Sequence, residues 1–250
     1  MKFGMVIVGD EILSGKRRDT HLAFVSDALK QRGLELSWAR IVGDEHDLLV
    51  QTYRETRASG AVVFSFGGIG GTPDDITRQC AAEAFGLKIE PHPEAVAILR
   101  EKFGDDLYPH KVRMAEFPVG SDLIPNPVNR VAGFSINKHY FVPGFPNMSH
   151  PMIEWVLDTC YTAEFRQPEI EQRLMAHAPE SHLITIEERI LEDFPDIRLS
   201  SLPNTKDRMQ VDLGLRGAPD TVRRAMESLR KMLDAAGIRH EPVADRSNAD

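Results

Sequence analysis

Residues 61–80 read "AVVFSFGGIGGTPDDITRQC". Six apolar and small residues, β-branched or aromatic at four positions, form a run with no polar face. That pattern fits a strand buried on both sides, as in a parallel sheet, better than a half-exposed one. Four glycines in five positions end the run, then Thr72, Pro73, Asp74 and Asp75. The spacing predicts a helix over 74–85, capped near Thr72 or Asp74 and stopped by Gly86. A strand leading through glycines into a helix is a place where backbone N–H groups and the helix dipole can hold an anion. Two carboxylates beside it make a poor seat for a bare phosphate. They make a reasonable one for a phosphate bridged by a divalent cation.

The neighbouring segments repeat the strand–helix alternation. "FGMVIV" (3–8) is a short buried strand, and residues 19–33 form a helix with Leu22, Val25, Ala28 and Leu29 at helical spacing. A strand over 34–43, a helix over 46–58 and a helix over 92–104 follow. "GFSINKHYFVPGFP" (133–146) reads as a hairpin, and the helix after it carries Pro151 in its first turn. This alternation argues for a parallel α/β sheet, whose ligands bind beyond the carboxyl ends of the strands. Three such ends carry acids: Asp10 and Glu11, Asp44, and Asp74 with Asp75. From about residue 167 the pattern changes to a helix, a strand pair and a second amphipathic helix, a small α+β module. The reading is therefore an α/β domain over 1–166, an α+β domain over 167–243 and a frayed polar tail over 244–250.

Composition bounds the function. In 250 residues with 42% hydrophobic and 27% charged side chains there is enough core for ordinary globular domains. The net charge of −8 disfavours general nucleic-acid binding. No segment reaches the roughly 20 apolar residues that span a bilayer, and no secretory leader pattern opens the chain. A soluble cytoplasmic protein is expected, with Cys80 and Cys160 as buried reduced thiols. The cluster Lys16-Arg17-Arg18 is either a solvated loop or a phosphate contact. No Ser-His-Asp or Cys-His order stands out.

"GDEILSG" with Asp19-Thr20, "VGDE", "GGIGGTPDDITR" and "VPGFP", in this order and spacing, resemble the molybdopterin-binding (MoaB/Mog-like) domain. "MAEFPVGSDLIPNPV", "AGFSI" and "ESHLITIEERIL" look most like the branch of the competence/damage-inducible protein A (CinA) family. The resemblance implies a three-layer αβα sandwich with a mostly parallel central sheet, and a homo-oligomer, dimer or trimer. In that branch the amino-terminal portion is linked to metal-dependent hydrolysis of nucleotide pyrophosphates such as ADP-ribose and FAD. The wider superfamily binds molybdopterin and adenylylates it or inserts molybdate. The amidase domain of longer relatives is absent from this sequence, so deamidation of nicotinamide nucleotide is not expected.

By the same resemblance Asp44 and Asp75 match family acids and, with Asp74, are the expected catalytic and metal-binding residues (Mg, Mn or Co). Gly67, Gly68, Gly70 and Thr72, with Gly71 between, match the phosphate cradle. Asp10, Glu11, Gly15, Asp19, Pro143 and Gly144 fall in the matching motifs of the substrate pocket. The chain departs from the family in three places: Gly71 replaces a usual proline, His21 a usual asparagine, and "NPVNRVAGF" a usual Gly-Thr-Ala-Pro-Gly-Phe. The last change puts Asn129 and Arg130 in the pocket region. Three functions remain open: a metal-dependent nucleotide pyrophosphatase, a molybdopterin-binding or adenylylating protein, and a non-catalytic ligand-binding module.

Overall fold

The computed structural model describes residues 1–205, 207 and 209–243. The tail expected over 244–250 lies outside them. The chain divides into two compact units, Met1–Arg166 and Gln167–Asp250.

In the first unit the elements run β1 (Phe3–Val8), α1 (Asp10–Leu13), α2 (His21–Gln31), β2 (Leu36–Val42), α3 (His46–Ser59), β3 (Val62–Phe66) and α4 (Thr77–Phe85). They continue with β4 (Ile89–Pro91), α5 (Pro93–Phe103), β5 (Glu116–Pro118), β6 (Asp122–Ile124), β7 (Gly133–Ile136), β8 (His139–Val142) and α6 (Pro146–Cys160). Six strands form one sheet in the order β2-β1-β3-β8-β7-β6. The first four are parallel, and β7 and β6 extend the edge antiparallel. Strand alternation sorts the two faces. Phe3, Met5 and Ile7 of β1 and Val62, Phe64 and Phe66 of β3 pack with Val25 and Leu29 of α2 and Ile153 and Val156 of α6. Val6, Val8 and Val63 point the other way, onto Leu49 and Tyr53 of α3 and Cys80 and Ala81 of α4. Helices on both faces of a mostly parallel sheet make the expected three-layer sandwich.

The structure adjusts several local expectations. Helix α4 starts at Thr77, so Asp74 and Asp75 belong to the turn before it, and neither they nor Thr72 caps it. The exposed Pro73 and Asp74 and the half-buried Asp75 fit that turn, where the helical stripe begins only with the buried Thr77 and Arg78. In α2 the buried stripe contains His21, while Leu22 is 43% exposed. Helix α6 starts at Pro146, which fits a first-turn position, and leaves Pro151 inside the helix rather than in its first turn. Cys80 is buried, its thiol pKa pushed up to about 11 by burial, but Cys160 is exposed at the end of α6. Asn137 and Lys138, both at positive φ (49° and 63°), make the two-residue β7–β8 turn.

The second unit comprises β9 (Ile170–Ala176), α7 (Ile184–Asp193), β10 (Arg198–Pro203), β11 (Val211–Gly217), α8 (Pro219–Ala235) and β12 (His240–Pro242). Its antiparallel sheet has the order β10-β11-β9-β12, the split β-α-β arrangement. Leu213 and Leu215 of β11 and Leu174 of β9 pack on Val222, Met226 and Leu229 of α8 in a core of their own. The expected strand pair, β10 and β11, is thus one half of a four-stranded sheet, with β10 at its edge.

Candidate functional site: a cleft at the switch point of the sheet

The chain leaves β1 toward β2 on one side and leaves β3 toward α4 on the other. The carboxyl ends of β1 and β3 therefore flank the point where the sheet order reverses, the usual ligand position in open α/β sheets. Backbone meets backbone there. Gly67, the first residue after β3, has φ 98°, and any Cβ on it would overlap the Val8 carbonyl oxygen. A Cβ on Gly144, after β8, would lie 3.3 Å from the Gly67 Cα. Three strand exits thus close on one another because two of them carry no side chain.

The glycine loop is fixed from within. Asp75 Oδ2 accepts hydrogen bonds from Thr72 N (2.9 Å) and Thr72 Oγ1 (2.5 Å). It fits under Gly70, where a Cβ would collide with it. Thr77 N donates to the Gly68 carbonyl at 3.0 Å. The buried Arg78 donates through Nη2 to the Gly70 carbonyl (2.6 Å) and through Nη1 to that of Arg113. Burial pulls its pKa down, against the pull of Asp75 and Glu116. Arg78 therefore ties the loop to the segment before β5.

Across the cleft, Asp10 and Asp44 bracket the exits of β1 and β2. Asp10 N donates to Asp44 Oδ2 (3.0 Å) and Asp44 N to Asp10 Oδ1 (3.2 Å). Burial, followed by the charges of Asp10, Glu11 and Asp74 working against the Asp10 N–H, raises the Asp44 pKa. A cation near Asp44 would relieve that crowding.

These elements enclose a cleft of about 450 Å³. Of the expected site residues, Glu11, Asp44, Gly67, Gly68, Gly70, Gly71, Thr72, Asp74, Asp75, Asn129, Pro143 and Gly144 line it. Four do not. Asp10 works through Asp44. Gly15 turns the chain after α1 at φ 72°. Asp19 spends both carboxylate oxygens on the start of α2, accepting from His21 N and Leu22 N. Arg130 pairs with Glu101 at 2.8 Å. Arg17, read from the sequence as either part of a solvated loop or a phosphate contact, also lines the cleft, and so does an apolar wall not expected there, which includes Ile69, Met114, Val131, Phe145 and Met148. The signal of that wall is three-dimensional, since its residues come from four separate segments. Among the described residues no three His, Cys, Asp or Glu side chains form a ready metal cage. Asp75 is partly spent on Thr72, whereas Asp74 has no hydrogen-bond partner for its carboxylate among the described residues.

The family model described as "Probable molybdopterin binding domain" matches residues 4–163. The chain belongs to this family. As a molybdopterin-binding domain protein it is similar to a CinA-like protein of Anaeromyxobacter sp. (strain K), 34% identical over 165 residues, which are 63% of this chain and 40% of that one. A CinA-like protein of Anaeromyxobacter dehalogenans is 32% identical over 190 residues, 73% of this chain and 47% of the relative. The chain spans less than half the length of these curated relatives. Among solved structures, the protein CinA from Thermoplasma acidophilum matches 63% of this chain and 98% of its own, at 27% identity and a TM-score of 0.58.

Proposed function

We propose that the switch-point cleft binds a phosphate-bearing small molecule together with a divalent cation and hydrolyses a nucleotide pyrophosphate of the ADP-ribose or FAD type. The observation that carries this is the charge of the cleft: among the described residues, Glu11, Asp44, Asp74 and Asp75 face a single cationic side chain, Arg17. Such a cleft repels a bare polyphosphate and accepts one that arrives with a cation. The donor set fits Mg²⁺ or Mn²⁺, which take one or two carboxylates and complete their shell with water and substrate phosphate oxygens. Asp44 and Asp74 are the residues that would hold it, with the remaining oxygen of Asp75 as a further donor. The metal supplies polarisation of the phosphoryl group and a more acidic water. A cation held there would offset the burial and acidic neighbours that raise the Asp44 pKa and keep its carboxylate ionised as a ligand. The glycine loop, already locked by Asp75 and Arg78, presents its backbone to the phosphate without having to order first. The apolar wall accommodates a flat heterocycle.

That same wall and loop would hold a pterin with a terminal phosphate, the second reading, which the family membership favours. Incubation with Mg²⁺, Mn²⁺ or Co²⁺ and a panel of ADP-ribose, FAD and related dinucleotides separates the two. Metal-dependent turnover that falls roughly 100-fold or more in Asp44→Asn is expected. No turnover, with calorimetric binding of molybdopterin, would establish the second reading instead.

A further inference from the structure

A second cavity of about 300 Å³ adjoins the cleft and shares Val8, Glu11, Arg17, Gly144 and Phe145 with it. Its own walls come from α1, the loop that follows, the first residue of α2 and the exit of β8. Its charge differs from the cleft's: two arginines stand with two acids, Glu11 and Asp19, where the cleft has four acids and Arg17. Both Arg17 and Arg18 line it, and among the described residues neither guanidinium has a carboxylate partner. The nearest acid of the same loop, Asp19, has both oxygens committed to the N–H groups of His21 and Leu22. Arg17 lies over the Phe145 ring, 5.6 Å from its centroid, so the guanidinium plane sits on the wall that the two cavities share. The shared wall is itself held: His21 Nε2 donates to the Gly144 carbonyl (3.3 Å), and His21 Nδ1 accepts from His150 Nε2 (3.2 Å). His21 stacks on Phe66 at 4.3 Å and is buried, so this support is rigid.

An acidic cleft and an arginine-lined chamber that share one wall fit a ligand with two phosphoryl groups in different surroundings. We propose that the second chamber is an anion subsite for a phosphate monoester, the group that pyrophosphate cleavage leaves on each half of the substrate, with Arg17 and Arg18 as its ligands. The inference rests on the pyrophosphatase reading for its biological meaning. The binding itself needs no metal, because two guanidinium groups without a carboxylate partner among the described residues supply the donors. Arginine forks suit the geometry of a phosphate monoester dianion, and lysine would replace them only in part.

Calorimetry in the presence of a chelator tests it, with adenosine 5′-monophosphate and ribose 5-phosphate as probes and adenosine as the uncharged control. Wild-type protein is expected to bind both monoesters and to bind adenosine at least tenfold more weakly. Arg17→Ala combined with Arg18→Ala should weaken monoester binding by about 10- to 100-fold, and the double lysine variant should recover part of it. Both arginines are exposed, and circular dichroism checks that the variants are folded. Asp74→Asn should leave metal-free monoester binding intact or tighten it. No binding by wild type, or equal binding by wild type and the double alanine variant, overturns the subsite. Failure of the parent reading looks different: monoester binding persists with the same arginine dependence while no pyrophosphate is turned over under any metal.

Discussion

His139 is buried at the start of β8, where Nδ1 donates to the Asn137 carbonyl (3.0 Å) and Nε2 accepts from Thr56 Oγ1 (2.9 Å). Burial lowers its pKa to about 4. The unfolded chain takes up that proton near the ordinary histidine value of about 6.5. Between those two pH values the unfolded state therefore holds more protons, and stability falls as pH drops through the window. His139→Gln should flatten this acid limb in urea titrations at pH 4 to 7; an unchanged slope would assign it to other groups. Arg78 poses the opposite problem, a cation kept inside because two backbone carbonyls need it. Arg78→Met should cost about 1–3 kcal/mol for each carbonyl left without a donor, seen as a lower urea midpoint. The acids were legible in the sequence because each follows a predicted strand. Arg78 was not, since a basic residue in a helix ordinarily reads as surface, and only the fold shows that its partners are Gly70 and Arg113. Asp75 is the instructive middle case. Its position was legible, but in this structure its Oδ2 carboxylate oxygen fastens the loop through Thr72.

Elements were read well wherever apolar periodicity ran long. α2, α3 and α5 fall within a few residues of expectation because each buries one stripe of helical period, and β1 and β3 because each is a continuous apolar run buried on both faces. The β7–β8 hairpin was equally clear, although its turn lacks the glycine that such geometry favours. Lys138, at φ 63°, carries a side chain in the left-handed region. Lys138→Gly should raise stability by about 1 kcal/mol or less, and thermal unfolding will show the sign. The start of α4 was placed too early because Thr-Pro-Asp-Asp looks like a helix opening. It is a turn locked by its own side chains. β9 was missed for a different reason. Its inward positions, Ile170, Gln172, Leu174 and Ala176, include a glutamine that breaks the alternation, and only Leu174 and Ala176 are buried. β12, three residues long, owes its strand conformation to pairing with β9 rather than to local preference.

At the scale of the whole chain, each unit closes its own core. The sandwich buries two apolar layers on either face of one sheet, and the second unit buries a separate one. Fragments 1–166 and 167–250 should therefore each unfold in a cooperative thermal transition when made alone. The first should keep the metal-dependent ligand binding proposed for the cleft. A fragment 1–166 without a cooperative transition would mean that its cores are insufficient by themselves. The loop that Asp75 and Arg78 hold shut has a kinetic counterpart. A wall that is already built before the ligand arrives imposes no ordering step on encounter. Observed association rates should rise in proportion to ligand concentration with no plateau, and Thr72→Val, which removes one of the two locks on Asp75, should introduce one.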